Sequence, residues 1–316
     1  MKSVFVSIIN FNGKDNTLSC LSELDKIIAK DIKVTAVVID NASEEKFEVD
    51  QSFLKNIPLV FIRNDENLGF AEGHNVGIRY ALSRGADYII ILNNDTLLDK
   101  NFVQELVSVA EENSKAGIIA PKIYFAKGFE YHKDKYSDKE LGKVFWYAGG
   151  EMDWKNVIGH HRGVDEVDMG QYDETCETGY ASGCCMLITK KVLEKVGGFD
   201  KKYFLYYEDN DLCQKALRKG FKIIYTPKAV IWHKNAGSAG GSGSLLQDYY
   251  ITRNRMLFGM RWAPLRSKLA LVRESIRLLS TGRKWQKRGI ADYYKRRFGK
   301  GSFKNDPFDS AQGHGE

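Results

Sequence analysis

Three carboxylates crowd four consecutive positions at Glu208-Asp209-Asn210-Asp211, directly after the aromatic run Tyr203-Phe204-Leu205-Tyr206-Tyr207. Acids in the first turn of a helix suit the helix dipole, but three are more than a cap needs. An acid at the mouth of an aromatic-lined pocket could act as a general base. A second polar cluster, Asn93-Asn94-Asp95, ends the apolar run Tyr88 to Leu92. A carboxylate flanked by short polar side chains could hold a hard divalent cation, Mg²⁺ or Mn²⁺, against a diphosphate. The same residues would equally serve as a turn cap. Two further apolar runs end in the same way. Val34 to Ile39 runs into Asp40-Asn41-Ala42-Ser43, and Leu59 to Ile62 into Arg63-Asn64-Asp65-Glu66-Asn67-Leu68-Gly69-Phe70. Polar residues repeated at successive strand ends converge on one crevice, which favours a site over three separate caps.

The elements that must position these groups alternate. Val4 to Ile9 is a continuous apolar run, as expected of a parallel strand covered on both faces, and Asn10-Phe11-Asn12-Gly13 breaks it. Leu18, Leu21, Leu24, Ile27 and Ile28 recur at helical spacing. A helix follows Phe70 to about Ser83 and closes at Gly85, and another spans Phe102 to Ala110, before a strand at Gly117 to Ala120. The pattern is α/β, a doubly wound and mostly parallel sheet. Tyr124 to Tyr172 reads as a loop-and-hairpin insertion, and its His160-His161 pair as hairpin surface. Thr189 is placed to cap a helix from Lys190 to Val196. A helix from Leu212 to Lys219 follows the acidic cluster. Lys222 to Tyr225 and Ala229 to Trp232 read as two strands, the second ending at His233. The Gly/Ser-rich stretch from Lys234 to Ser244 reads as a mobile loop. Three helical patterns then run over 245–262, 265–279 and 285–298, and 301–316 reads as a disordered tail.

Composition narrows the class. Apolar content of 43% over 316 residues supports a real core. Five cysteines with no C-x-x-C pair read as reduced thiols of a cytosolic protein. The short apolar N-terminus reads as a first strand, not a signal peptide, and no run reaches the ~18–20 apolar residues that span a bilayer. No G-x-G-x-x-G follows the first strand and no P-loop is present, which excludes the usual dinucleotide-binding and P-loop enzymes. Charge is uneven. Leu245 to Lys300 holds 15 Lys/Arg against 3 Asp/Glu, a net of +12; with +6 for the whole chain, the rest carries −6. Such a basic region suits an anionic partner. Nucleic acid is not expected, because no binding motif accompanies the charge.

These motifs resemble those of glycosyltransferase family 2, inverting enzymes of the GT-A fold, and especially the bacterial rhamnosyltransferase-like members that build cell-surface polysaccharides. The resemblance is carried, in order, by Val6 to Asn12, Val38 to Ser43, Asn64 to Gly77, Leu92 to Thr96, Ser182 to Met186, Tyr207 to Leu212 and Trp232-His233, over about residues 3–240. Tyr249-Tyr250-Ile251-Thr252-Arg253-Asn254-Arg255 also resembles the subgroup. The resemblance implies a GT-A domain over 1–244 and a basic helical region over 245–300. It implies that Asp40 accepts a hydrogen bond from a pyrimidine N3–H of a UDP- or dTDP-sugar, with Ser7 and Asn10 nearby. Asn67, Gly69 and Asn75 would shape the nucleoside wall, with Asn93, Asn94 and Gly183 also on the donor side. Asp95 and His233 would bind Mg²⁺ or Mn²⁺, and Asp209, with Glu208 beside it, would be the base. The family's metal motif often carries Asp at both ends; here its first position is Asn93. The acceptor would be a glycan or a lipid-linked hydroxyl, and the protein would work at the inner face of the cell membrane; its basic helices read either as lying against anionic lipid or as a solvated charged face on a soluble bundle. Two rivals remain. A nucleotidyltransferase would show a Gly-rich, Lys/Arg-bearing loop where Asn10-Phe11-Asn12-Gly13 stands, and an inactive glycan-binding scaffold would not need Asp95, Asp209 and His233 together.

Overall fold

A computed structural model describes residues 1–235 and 244–305. In chain order the first half contains β1 (Lys2–Asn10), α1 (Lys14–Leu24), β2 (Ile32–Asp40), β3 (Leu59–Arg63), α2 (Gly69–Ser83), β4 (Tyr88–Leu92), β5 (Thr96–Leu98), α3 (Phe102–Glu112) and β6 (Ala116–Phe125). Then come β7 (Phe145–Tyr147), β8 (Gly150–Asp153), β9 (Ile158–His161), β10 (Cys176–Glu177), β11 (Cys185–Thr189), α4 (Lys190–Val196), α5 (Glu208–Arg218) and β12 (Lys222–His233). Three helices close the chain: α6 (Leu245–Trp262), α7 (Leu265–Thr281) and α8 (Lys284–Tyr294).

One sheet organises the molecule, in the order β10-β12-β6-β11-β4-β1-β2-β3, with β5 added to β12 and β7 to β6. The β3-β2-β1-β4 half is parallel, and β12 is parallel to β6, whereas β11 inserts antiparallel between β4 and β6. The expected wound sheet is therefore present, with its longest ladders parallel and one reversed strand at its centre. The apolar runs Val34–Ile39 and Tyr88–Leu92 are buried on both faces, as a sheet covered by helices requires.

Glycines set how closely α2 lies on that sheet. A Cβ at Gly77 would sit 2.4 Å from Ser7 Oγ, and one at Gly73 2.8 Å from Ile9 Cδ1. Asn75 fixes the far side of the helix, giving a hydrogen bond to Phe199 O and taking one from Phe199 N, each 2.9 Å.

Several boundaries differ from the sequence expectation. Lys222 to His233 is one strand, not two; its register against β6 shifts between Thr226 and Val230, where Pro227 has no N–H to give the ladder. The strand expected at 117–120 extends to Phe125 because β12 and β7 pair along its whole length. The helix after the aromatic run begins at Glu208, so the acids lie inside its first turn. Thr189 caps α4 as expected, accepting from Val192 N. The hairpin expected within 124–172 is β8-β9. Gly301–Asn305, expected as disordered tail, forms a short 3₁₀ turn that buries Phe303 against Tyr249, Tyr250 and Trp285. The remainder of that tail, 306–316, and the Gly/Ser-rich loop at 236–243 lie outside the described residues.

Candidate active site

Strand register brings the polar clusters together. Leu92, the last residue of β4, pairs with Cys185, the first of β11, and Asn93 N donates to Cys184 O at 2.8 Å. On the other side of Asp95, Thr96 pairs with His233 at the end of β12, and Lys234 N donates to Asp95 O. One turn, Asn93-Asn94-Asp95, therefore touches both the Ser182–Cys184 segment and the end of β12. Gly183 N donates to Asp209 Oδ2 at 2.9 Å and hooks the start of α5 onto the same point.

Asp95 and His233 are both buried, with His233 Nε2 3.1 Å from Asp95 Oδ1. Two ligands ~2.1 Å from one octahedral ion and at right angles to each other lie about 3 Å apart, so the pair fits two neighbouring positions on a cation. His233 Nδ1 is buried without a protein partner. Among the described residues no cluster of three or more His, Cys, Asp or Glu could hold a metal by itself. A one-carboxylate, one-imidazole pair fits a cation that takes its other oxygens from a substrate diphosphate. The His233 ring packs edge-to-face on Trp146 at 4.7 Å, and Trp146 also meets His161 at 4.3 Å. His161 is thus not hairpin surface. Its Nδ1 bonds Trp146 O, and burial pulls its pKa down to about 4.

The crevice at the ends of β1, β2 and β3 is a closed hydrogen-bond network. Asp40 is fully buried. Its Oδ1 accepts from Asn10 Nδ2, Ser43 N and Ser43 Oγ, while its Oδ2 is paired with Arg63. The sequence motifs assign Arg63 no role; its place at the β3 terminus, level with Asp40, is the signal for it. Asn41 joins both sides of the next loop, giving to Asn67 Oδ1 and Gly69 O and taking from Asn64 Nδ2 and Leu68 N. Asn94 Nδ2 reaches Thr17 Oγ1 at 2.9 Å and fixes the start of α1. Two expected donor residues lie elsewhere. Ser7 is in the middle of β1, beneath α2, with its Oγ on His74 Nδ1 at 2.9 Å. Asn75 points away from the crevice to Phe199. Ser7 ties α2 to the sheet through His74, and Asn75, on α2 itself, ties the helix to the loop at Phe199.

The base candidate sits in a low-dielectric setting. Burial raises the Asp209 pKa, opposed by hydrogen bonds from Gly183 N–H and from the Asn210 backbone and amide. Glu208 is more extreme. Burial first, then the neighbouring Asp209 charge, pushes its carboxyl well above the usual range, and its Oε2 has no partner. Asp211 is different in kind: it accepts from Arg261 Nη1, Trp262 Nε1 and Tyr203 Oη and anchors α5 to α6.

The segment that delivers Asp209 is strained. Phe204, Tyr206 and Tyr207 have φ of 65°, 68° and 73°, a region costly for aromatic residues. Asn254 on α6 holds it, donating from Nδ2 to the carbonyls of Tyr203, Leu205 and Tyr206 at 2.9, 2.7 and 2.9 Å. Arg253, fully buried, adds Lys202 O and Tyr203 O and donates from Nε to Asn254 Oδ1. On the opposite side, Phe70 N and Ala71 N donate to Phe204 O, and Gly69 (φ +72°) is so close that a Cβ would lie 2.5 Å from that oxygen. The basic C-terminal region is therefore partly a brace for the site.

A sheet with a parallel half, one reversed strand at its centre and polar strand ends gathered in one crevice is of the GT-A class. The fold matches a crystal structure of GalNAc-T7 with UDP, GalNAc and Mn²⁺ at a TM-score of 0.61 and 17% identity, covering 94% of this chain and 58% of that one. The model of the glycosyltransferase-like family 2 matches residues 3–257, and the chain belongs to that family. It is rhamnosyltransferase-like. It is 25% identical over 263 residues to the dTDP-rhamnosyl transferase RfbF of Shigella flexneri, covering 81% of this chain and 79% of that protein. It is also 25% identical over 227 residues to the N-acetylglucosaminyl-diphospho-decaprenol L-rhamnosyltransferase of Mycobacterium tuberculosis, covering 67% and 70%.

Proposed function

We propose that the protein is a metal-dependent, inverting hexosyltransferase. It would move a sugar from UDP or dTDP to a hydroxyl of a glycan or lipid-linked acceptor in cell-surface polysaccharide synthesis. The reading rests on one observation above the others: Gly183 N–H holds Asp209 at the junction of β4 and β11, the same junction that carries Asn93-Asn94-Asp95. Relatives named for a dTDP-sugar and a diphospho-decaprenol acceptor support the donor and acceptor classes, and Mn²⁺ in the GalNAc-T7 structure supports a divalent cation.

Asp95 and His233 would hold Mg²⁺ or Mn²⁺, which when bound neutralises charge on the leaving diphosphate. Asn10, Asp40, Arg63 and the Asn41–Asn67 network form a rigid floor for the nucleoside. Because Asp40 is fully buried with both oxygens engaged, a nucleobase would reach its carboxylate only where the partly exposed Arg63 gives way. Asp209, ionised and fixed by Gly183 N–H, takes the proton from the acceptor hydroxyl, and that oxygen displaces the nucleotide with inversion at the anomeric carbon. Burial makes the carboxylate more basic than a free one, which suits proton abstraction near neutral pH. Burial and the Asp209 charge push the Glu208 carboxyl up beside it, toward its neutral form.

Incubation with dTDP-rhamnose and a panel of UDP-sugars, with Mn²⁺ and with chelator, tests the reading. Nucleoside diphosphate release that needs the cation is expected. Asp209→Asn should lower turnover by about 10²–10⁴-fold with donor binding nearly intact. Wild-type turnover in that variant would remove Asp209 as the base, and consumption of a nucleoside triphosphate would identify a nucleotidyltransferase instead.

A further inference from the structure

We infer that α7 is a membrane-docking helix, which lies in the surface of an anionic bilayer with its outward face against the lipid. This concerns where the protein sits and stands whether or not the site transfers a sugar.

The helix is amphipathic twice over. Its inward face is ordinary: Ser267, Leu271 and Ser275 are buried against α6 and α8. Its outward face is apolar, contrary to what a solvated helix shows. Leu265, Leu269, Ile276 and Leu279 are 73%, 55%, 62% and 43% exposed. With half-buried Val272 they recur at i, i+4, i+7, i+11 and i+14, one stripe along a rod about 25 Å long. Tyr294 of α8, 49% exposed, joins the edge of that stripe through a 2.7 Å hydrogen bond to Ser275 Oγ.

Charge decides the occupant. Arg266, Arg273 and Arg277 are exposed and line one flank of the stripe, with Lys268 on the other. The one acid on the helix, Glu274, faces α6 and is paired with Arg255 at 2.9 Å. A second copy of this chain would bring like charges together along the stripe, arginine against arginine or arginine against Lys268. An anionic bilayer accepts both features, since acyl chains cover the stripe and phosphates meet the guanidinium groups. No helix among the described residues is long and apolar enough to cross a membrane, so the contact is peripheral.

The full chain is mixed with sedimenting vesicles of phosphatidylcholine alone or of equal parts phosphatidylcholine and phosphatidylglycerol. Binding to the anionic vesicles, weakened by salt, and little binding to neutral ones are expected. A basic side chain near an anionic surface is worth roughly fivefold in binding, so R266Q/R273Q/R277Q together should weaken binding by roughly a hundredfold. L269S/I276S, at two positions more than half exposed, should lose about tenfold or more with the thermal midpoint little changed. Absence of vesicle binding, equal binding to both vesicle types, or wild-type binding by both variants overturns the inference. So does a dimer in sedimentation velocity that L269S/I276S splits while vesicles bind nothing.

Discussion

Asn254 offers the sharpest test of how the site is held. Its Nδ2 group has two hydrogens and serves three carbonyls, so one bond is shared, and its Oδ1 receives Arg253 Nε at 2.9 Å. Asn254→Ala removes about two neutral hydrogen bonds at ~1 kcal/mol each and one charge-assisted bond of similar or greater worth, roughly 3 kcal/mol together. For a chain of this size that corresponds to a fall of roughly 6–12 °C in thermal midpoint. The consequence for activity should be larger than the stability loss suggests. Left-handed φ values at Phe204, Tyr206 and Tyr207 cost about 1–3 kcal/mol each and persist only while something holds them. Once the carbonyls are released the segment relaxes, and the first turn of α5, with Asp209 on it, moves with it. Turnover should drop well below wild type at temperatures where the variant is still folded, with donor binding little changed.

Asn254→Asp separates the hydrogen-bond argument from simple loss of packing. The carboxylate keeps the shape but presents oxygen to three carbonyl oxygens. It should be at least as destabilising as Ala at neutral pH and should recover as pH falls and the carboxyl gains a proton to donate. Calorimetry of both variants across pH, beside single-turnover donor assays, checks this. An Asp variant with wild-type stability at neutral pH, or an Ala variant with wild-type turnover, would refute the brace.

Three further outcomes are expected. Asp95→Asn should abolish the rise in thermal midpoint that Mn²⁺ gives the wild type in the presence of UDP or dTDP, and an unchanged metal titration would remove Asp95 from the cation site. Glu208 is buried with a raised pKa and an unpartnered oxygen. The folded state then binds the proton more tightly than the unfolded chain, and stability falls as pH rises above the ordinary carboxylate range. Glu208→Gln should therefore stabilise the protein at neutral pH, by an amount that vanishes toward pH 4; a gain that does not change with pH would contradict the cause. His161, held near a pKa of about 4 by burial, binds fewer protons when folded, so it costs stability as pH drops from about 6.5 toward 4. His161→Asn, which keeps a donor for Trp146 O, should flatten that acid loss in a thermal-shift series.

What the sequence made legible follows from where information is local. The strand ends could be read because a buried parallel strand is a continuous apolar run and its polar end is abrupt, as at Leu92-Asn93. Their convergence followed from one rule about carboxyl ends of strands. The antiparallel β11 could not be read, because its apolar pattern Cys185–Thr189 is the same in either direction. Yet that reversal is what sets Gly183 against Asp209. Ser7 and Asn75 carried polar side chains inside family motifs, and their type gave no indication that α2 would lie over Ser7 or would turn Asn75 toward Phe199; for Ser7 the small residues Gly73 and Gly77 were the signal, through the close approach they permit. The role of the C-terminal region was hidden for a related reason. Its charge drew attention to a partner outside the molecule, whereas its least conspicuous polar residue, Asn254, acts within it. Arginines on the exposed face of α7 and an amide on the buried face of α6 lie only about twenty residues apart and serve opposite ends of the same task. One would set the molecule against a charged surface, and the other keeps Asp209 in place, so a variant on α7 should change binding to vesicles while leaving a soluble-donor assay as it was.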